Sequence, residues 1–201
     1  MSRTKDQSLH DERRRQILAA AARVFQLKGF HAARTEEICA QAGLSSGTVF
    51  RHFSTKEEII ATIAEMEFAA GFEQLRKLGN REGFLWLSKM RTKDWPILLP
   101  PSEFKLGPDS WLEVFRNKQF RKKAIALDCA MRKSLADVLR AGQKAGWVRA
   151  ELNPTGAASL LLSLFSGLLF DGQTNPELDW SAKAKAMADL VRCYVLAEGV
   201  S

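Results

Sequence analysis

Apolar residues recur along this chain at the three- and four-residue spacing of an α-helix, and almost nowhere at the two-residue spacing of a strand. Ile17, Ala21, Val24 and Phe25, for example, fall on one face of a helix predicted over residues 10–28 and ended by Gly29. The pattern therefore predicts an all-α protein of about nine helices.

Two short helices are predicted next. Thr35 is placed to cap a helix over residues 36–42, which Gly43 ends, and Ser45 is placed to cap another over Ser46–Phe53. Two helices around a glycine-containing turn are typical of a helix-turn-helix. Six apolar side chains could form a small closed core beneath them: Leu18, Phe25, Ile38, Leu44, Val49 and Phe53.

The rest of the chain also has a helical pattern, interrupted by one irregular segment. Ser54-Thr55-Lys56-Glu57 has the spacing of a capping box and opens a long fourth helix. The segment from Trp95 to Pro108 contains four of the six prolines and is predicted to be an irregular connection. The remaining helices are predicted over residues 54–77, 81–92, 109–117, 118–145, 154–170 and 180–197.

Positive charge is concentrated at the start of the chain. Residues 1–56 hold ten Lys or Arg against five Asp or Glu, whereas residues 57–201 hold twenty against eighteen. A local excess of this kind is expected for a surface that meets DNA or an anionic membrane, although a merely solvated basic end gives the same count.

Several classes of protein are disfavoured. Cys39, Cys129 and Cys193 are far apart in apolar helical contexts and are interpreted as reduced core residues, which favours a cytoplasmic protein. No apolar run approaching the roughly 20 residues of a membrane span is identified, so no membrane partner is expected. Three histidines and no cysteine pair at ligand spacing predict no metal site, and no cofactor is expected.

One catalytic motif occurs and is rejected. Gly43-Leu44-Ser45-Ser46-Gly47 satisfies the G-x-S-x-G pattern of a hydrolase, but that motif needs a preceding strand, and here the preceding pattern is helical. A triad would also need an acid and then a histidine downstream, and the only later histidine is His52. The chain is therefore not expected to be an enzyme.

The third helix has the features of a DNA-reading element. With its apolar positions buried, Ser45, Ser46, Thr48, Arg51 and His52 stay free, and short polar side chains would let the helix enter a major groove. Its amino end offers backbone donors to phosphate. A plain three-helix packing unit is the alternative.

This stretch resembles the tetracycline-repressor-type (TetR/AcrR) transcriptional regulators of bacteria. The resemblance is carried by Arg15-Gln16-Ile17-Leu18-Ala19-Ala20-Ala21, Phe25, Gly29-Phe30, Thr35, Glu37-Ile38, Ala42-Gly43-Leu44-Ser45, Gly47-Thr48-Val49-Phe50, His52-Phe53 and Thr55-Lys56-Glu57-Glu58. It covers the first quarter closely and the rest only in architecture. It implies homodimers that place two reading helices on a pseudo-palindromic operator.

The resemblance also implies which residues contact DNA. It implies phosphate contacts from Thr35, His52 and Lys56, and contacts with bases or backbone from Ser45, Ser46, Gly47, Thr48 and Arg51. Phe50 stands where the family usually has tyrosine, so a hydroxyl contact with phosphate is lost there. Arg34 stands where a small residue is common, and its guanidinium either replaces that contact or is merely solvated.

The resemblance divides the chain into a DNA-binding domain over residues 1–54 and an effector-binding and dimerisation domain over residues 55–201. The very apolar segment 154–170 suits pairing with a twin subunit, although it could be a central core helix of a monomer. The dimer interface is predicted to contain Ala157, Leu160, Leu161, Leu164, Gly167 and Leu168.

An effector pocket is expected in the second domain. The aromatic and apolar residues around it could equally be core, and Asp128, within an apolar stretch, would need a partner such as a ligand amine or hydroxyl if it faced inward. The predicted pocket residues are Phe68, Phe72, Trp86, Met90, Trp95, Trp111, Phe115 and Asp128.

The expected function is transcription regulation. The dimer would bind double-stranded operator DNA, most often as a repressor, and a small-molecule effector of unknown identity would release it through a shift relayed by the fourth helix. The alternatives are an effector-free DNA binder and a helical interaction protein, including a membrane-surface adaptor.

Overall fold

The computed structural model describes residues 2–99, 104–175 and 177–200, with the side chains of residues 2–6 and 173 excepted. These residues form ten α-helices and no strand, which confirms the all-α prediction. The helices are α1 (Ser2–Ala32), α2 (Thr35–Ala42), α3 (Ser46–His52), α4 (Lys56–Leu78), α5 (Arg81–Leu87), α6 (Trp95–Leu98), α7 (Pro108–Arg116), α8 (Lys118–Lys144), α9 (Pro154–Thr174) and α10 (Trp180–Leu190).

The tenth helix explains the difference from the predicted nine. Helix α6 is a single turn inside the segment predicted to be irregular, and a 3₁₀ turn over Thr92–Asp94 leads into it. Pro96 lies in the first turn of α6, where its missing N–H is no loss. The predicted fifth helix over 81–92 was too long, since α5 ends at Leu87.

Helix α1 is interrupted at the predicted glycine. Gly29 has φ of 75° and ψ of 165°, outside the helical region, and the helix resumes for one short turn. A side chain at Gly29 would be strained by that φ, and its Cβ would lie 2.5 Å from Oδ2 of Asp109. The same Asp109 oxygen accepts the N–H of Phe30 at 3.3 Å and so occupies the break.

Two predicted helix caps are shifted by one residue. Thr35 is the first helical residue of α2 rather than its cap, because the Glu37 carboxylate accepts the backbone N–H of Arg34 at 3.0 Å and makes Arg34 the cap. Before α4, the Thr55 hydroxyl accepts the N–H of Glu58, and the Glu58 carboxylate accepts the N–H of Ser54. The capping box therefore closes on Glu58 instead of Glu57.

The described residues fall into two compact units. Unit 1 comprises those within Met1–Ala69 and Ser102–Lys123. Its core forms because α1, α2, α3, the first half of α4 and α7 each bury one apolar face. The largest side chains in it that lose all or nearly all solvent contact are Ile17, Phe25, Ile38, Val49, Phe53, Ile59, Ile63 and Leu106.

Unit 2 comprises the described residues within Ala70–Pro101 and Ala124–Ser201. One apolar cluster surrounds Leu139, Val191 and Val195, and a second surrounds Trp95 and Phe165. In the second cluster the Trp95 ring meets that of Trp180 edge-on at 4.9 Å, and its Nε1–H donates to the Trp180 carbonyl at 2.8 Å.

The last helix ends earlier than predicted. Helix α10 passes into a π-helical turn over Val191–Val195, and Leu196 is already extended. The reason is a tertiary contact, because the Ala197 N–H donates to the Trp147 carbonyl at 3.0 Å and the Arg149 N–H donates to the Val195 carbonyl at 3.0 Å. These bonds hold the loop after α8 against the end of the chain within unit 2.

Helix α9 corrects the statement that no apolar run approaches the length of a membrane span. The 19 residues Pro154–Gly172 are apolar and long enough to cross a membrane by length and composition alone, although core helices of soluble proteins pass the same test. The sequence analysis missed this length because serine and glycine interrupt the run of leucines, although they lower the mean hydropathy only slightly. Only 22% of the segment is buried in one chain, so most of its residues keep some contact with solvent.

The cysteine prediction is correct for one residue. Cys39 is buried, whereas Cys129 and Cys193 are exposed, and all three are free thiols. No group of three or more His, Cys, Asp or Glu side chains among the described residues is arranged to hold a metal ion.

The compact units do not coincide with the predicted domains. Unit 1 extends beyond residue 54 because the first half of α4 and α7 complete its core. The functional division into residues 1–54 and 55–201 stays a prediction.

Unit 1 contains one acid in an unusual environment. The Oε2 atom of Glu67, on α4, accepts the backbone N–H of Leu106 at 3.0 Å. Burial raises the pKa of Glu67 to about 7, against the opposing effects of that N–H and of Lys105. The folded chain therefore holds this proton to higher pH than the unfolded chain does.

We expect Glu67 to make stability depend on pH. Its contribution is fully present below the ordinary glutamate pKa and is lost as pH rises through about 7. Glu67→Gln stays neutral and keeps an acceptor. As pH rises from 5 to 8, its free energy of unfolding should therefore increase relative to that of the parent by on the order of 2 kcal/mol. Urea unfolding at both pH values measures this gain. Glu57→Gln on the exposed side of α4 controls for the lost charge, and an equal gain in that variant would contradict the assignment.

Candidate nucleic-acid interface

Helix α3 is held by two apolar side chains and presents its polar side outward. Val49 and Phe53 are 0% and 1% exposed in the core of unit 1. Between them on the helix, Phe50 and Arg51 are exposed, as is Ser46 in the first turn. The buried pair therefore fixes which side of α3 meets solvent.

The turn between α2 and α3 is built as the sequence predicts. Gly43 adopts a left-handed conformation, φ 63° and ψ 32°, and the N–H of Leu44 returns to the Cys39 carbonyl at 3.0 Å. Ser45 then caps α3, because its hydroxyl accepts the Thr48 N–H at 3.2 Å. The same hydroxyl lies 2.9 Å from the Thr48 hydroxyl, so Thr48 is oriented toward the cap.

Helix α1 supports both short helices through polar side chains to which the sequence analysis assigned no role. The Gln16 amide donates to the carbonyl of Ala42, the last residue of α2, at 2.6 Å. Arg14 donates to the carbonyl of His52, the last residue of α3, at 3.1 Å, and its guanidinium lies 4.2 Å from the Phe53 ring centre. These side chains satisfy carbonyls that a helix end leaves unpaired. In the sequence, the position of Arg14 and Gln16 close to the buried Ile17 was the one sign that their side chains could reach the neighbouring helices.

Lys56 binds within the protein. Its ammonium group donates to the carbonyls of Phe30 and Ala33 at 2.7 and 2.8 Å and lies 4.4 Å from the centre of the Phe30 ring. Two of its three donors are thus occupied in joining the start of α4 to the segment before α2. These contacts give Lys56 a structural role in addition to the predicted contact with phosphate.

His52 is partly buried beneath α1. Its Nδ1 atom has no hydrogen-bond partner among the described residues, and its ring lies 4.5 Å from that of His10. Burial is the main cause of the lowered pKa of His52, and the charges of His10, Arg51 and Arg14 act in the same direction. The imidazole is therefore neutral at pH 7, which does not favour a cationic contact with phosphate.

The ten predicted DNA contacts divide by exposure. Six are exposed: Arg34, Ser45, Ser46, Gly47, Phe50 and Arg51. Four are partly buried: Thr35, Thr48, His52 and Lys56. The exposed set includes the two cations, Arg34 at the start of α2 and Arg51 on α3, that are best placed to meet a polyanion.

The predicted effector residues separate between the two units. Phe68, Trp111 and Phe115 pack with Phe120 in unit 1, with neighbouring ring centres 5.7 to 6.4 Å apart. Trp86, Met90 and Trp95 belong to the second apolar cluster of unit 2, and Phe72 is partly buried on α4. Aromatic rings at helical spacing pack here mainly against one another.

Asp128 already has a protein partner. Its carboxylate receives two N–H donors from Arg132, at 2.7 and 3.0 Å, and the same guanidinium donates to the carbonyl and hydroxyl of Ser159 on α9. The predicted need for a ligand amine or hydroxyl is therefore met by an arginine one helical turn away.

Unit 2 contains a cavity that none of the eight predicted effector residues lines. Its volume is about 140 Å³, and its wall is mainly leucine. Helices α4, α5, α6, α8, α9 and α10 all contribute to it. Leu75 and Leu135 were missed because isolated leucines on several helices cannot be told from core by spacing alone, and Leu161 was assigned to the dimer interface instead.

The predicted dimer residues also divide. Ala157 and Leu168 are 0% and 9% exposed and belong to the core of unit 2, so they have little surface left for contact with a partner. Leu160 and Gly167 are exposed, and Leu161 and Leu164 are partly buried beside the cavity. The exposed face of α9 is defined by the spacing of Gly156, Leu160, Ser163, Gly167, Phe170 and Thr174.

A helix-turn-helix held by a buttressing first helix defines a DNA-binding regulator, and the comparisons identify its family. Residues 17–63 match the family described as bacterial regulatory proteins, tetR family. The chain is 30% identical over 165 residues to the uncharacterized HTH-type transcriptional regulator YdgC of Bacillus subtilis (strain 168), covering 78% of this chain and 79% of YdgC. It is 27% identical over 161 residues to the HTH-type transcriptional regulator UidR of Escherichia coli (strain K12), covering 79% and 80%. The chain belongs to the tetR family of transcriptional regulators.

A solved structure shares the fold. SmeT, the repressor of the Stenotrophomonas maltophilia multidrug efflux pump SmeDEF, superposes with a TM-score of 0.68 at 22% identity, covering 94% of this chain and 92% of SmeT. A complex of SmeT with triclosan gives a TM-score of 0.64 at 20% identity, covering 94% of both chains.

We expect Lys56→Ala to lower the stability of the folded chain, whatever its effect on DNA binding. Loss of two hydrogen bonds from a charged donor should lower the free energy of unfolding by about 2 kcal/mol. Urea unfolding measures the change, and Lys133→Ala, at an exposed position of α8, is the matched control. A Lys56→Ala variant as stable as the control would show that the two carbonyl contacts contribute nothing.

Proposed function

We propose that this protein is a homodimeric repressor that binds a pseudo-palindromic operator and is released by a small-molecule effector. The observation that carries the proposal is the outward polar side of α3, with Arg51 and Ser46 exposed while Val49 and Phe53 anchor the helix. Short side chains at Ser46 and Gly47 permit close approach to a duplex, and Arg51 supplies a fork of donors for guanine or phosphate.

Six residues are proposed to contact DNA directly. Arg51 and Thr48 would read base edges, with Ser45, Ser46 and Gly47 near the backbone or bases. Arg34 would contact phosphate in place of the hydroxyl that Phe50 lacks. The neutral, half-buried His52 and the internally bonded Lys56 are given supporting roles, through the position of α3 and the start of α4.

The exposed face of α9 supports the homodimer. Leu160 and Phe170 are 46% and 54% exposed, and the small residues on the same face, Gly156, Ser163 and Gly167, leave room for a second helix to approach closely. A two-fold pair of such faces is self-complementary and would repeat the two α3 helices along a palindromic site. The mainly exposed apolar surface of α9 is then buried in the dimer rather than in a membrane.

Effector release is proposed to act through α4. This helix contributes Ile59 and Ile63 to the core of unit 1, and Leu75 and Leu78 line the cavity of unit 2. An effector that favours one position of α4 over another would change the separation of the two α3 helices. The triclosan complex of SmeT supports small-molecule binding by a protein of this fold.

Operator binding can be tested by selection from a random duplex library, followed by affinity measurements on the enriched sequence at several salt concentrations. We expect a pseudo-palindrome and an affinity that falls steeply with salt. Arg51→Ala and Thr48→Ala should each cost about 1 to 3 kcal/mol and relax preference at particular base pairs. Arg81→Ala, at an exposed position of α5, is the control. Salt-independent binding, or an Arg51→Ala variant with unchanged preference, would refute the assignment of α3.

The dimer can be tested through its apolar face. Leu160→Glu and Phe170→Glu should shift the parent from dimer to monomer in sedimentation analysis, because each would bury an unpaired carboxylate at the interface. Both should also weaken operator binding by about tenfold or more, since each half-site alone offers fewer phosphate contacts. Leu112→Glu, at a position 69% exposed in unit 1, is the matched control. Variants that remain dimeric would move the interface elsewhere.

A further inference from the structure

The unit 2 cavity has a mainly apolar wall. Leucine, methionine, valine and phenylalanine side chains supply it, including Leu75, Phe84, Met131 and Phe165. The lining residues with polar side chains are Arg76 and Ser134, both exposed at their helix surfaces. A ligand in this cavity would therefore meet mainly carbon and sulfur, with the Ser134 hydroxyl and the Arg76 guanidinium as the polar side-chain groups.

The one cation on the wall carries its own counter-charge. The Arg76 guanidinium donates twice to the Glu73 carboxylate, through Nε and Nη2, each at 2.9 Å. This pairing is the main cause of the lowered pKa of Glu73 and the raised pKa of Arg76. Arg76 thus offers little net attraction for an anionic ligand, and no lining carboxylate is available for a cationic one.

The size of the cavity limits the ligand. A dry cavity of about 150 Å³ lined by leucine, isoleucine and phenylalanine binds benzene, and this one measures about 140 Å³. Water would find few hydrogen-bond partners there, so an apolar occupant gains by replacing it. A charged occupant would lose its hydration without a compensating partner.

We infer that this cavity binds compact, uncharged lipophilic molecules of about one ring, with at most one hydrogen-bonding group directed to Ser134. This inference rests on the proposed function in one respect, because it identifies that class of molecule as the effector. Anionic and cationic molecules of the same shape are excluded by the cost of desolvating their charge.

The test uses three probes of nearly equal shape, toluene, benzoate and benzylammonium, with the purified full-length protein and no DNA. Titration calorimetry should show toluene binding and at least about tenfold weaker binding of each ion. Ser134→Phe, at an exposed position of α8, should reduce toluene affinity by about tenfold or more by filling the cavity mouth. Leu161→Phe, which fills the cavity from α9, should act alike, and Ala126→Phe on α8 is the matched control.

Opposite results overturn the inference. Undetectable toluene binding, equal binding of either ion, or unchanged toluene binding by folded Ser134→Phe and Leu161→Phe would each do so. Circular dichroism of each variant establishes that it is folded.

A separate operator titration distinguishes the two proposals. Toluene binding without operator release would support the proposed ligand class and contradict the proposal that such a ligand releases the operator. An absence of operator binding by the ligand-free protein would remove the regulatory proposal and leave the cavity result unaffected.

Discussion

The outward position of α3 depends on α1, which satisfies the ends of the two short helices beside it. Helices of seven or eight residues are marginal on their own, because few of their backbone groups are paired internally. Gln16 and Arg14 bond the terminal carbonyls of α2 and α3, while Val49 and Phe53 fill the core below. The polar side of α3 can therefore remain in water without contributing to its own stability.

Cations in unit 1 serve two different purposes. Lys56 and Arg14 donate to backbone carbonyls and lie over the rings of Phe30 and Phe53, so their charge stabilises the fold. Arg51 instead lies exposed on α3. The positive charge that composition assigns to this end of the chain is thus divided between structural and surface roles, and only the surface part is available to a polyanion.

Unit 2 uses its apolar residues in three ways that composition does not separate. Ala157 is core, Leu161 and Leu168 line the cavity, and Leu160 is exposed on α9. All four occur within twelve residues of one helix, so the orientation of α9 about its own axis decides which of them is core, lines the cavity or is exposed. One face of this helix then supports the fold, another the effector proposal and a third the dimer proposal.

Sequence alone determined the features whose partners lie within a few residues. Gly29 and Gly43 break their helices because of backbone sterics, and Ser45 caps α3 through its neighbour Thr48. Tertiary structure decided the contacts between distant segments, such as Lys56 with a carbonyl 26 residues earlier. It also decided which apolar residues enclose a cavity. Local signals act through short-range sterics and hydrogen bonds, whereas a long side chain can satisfy several partners equally well until packing selects one.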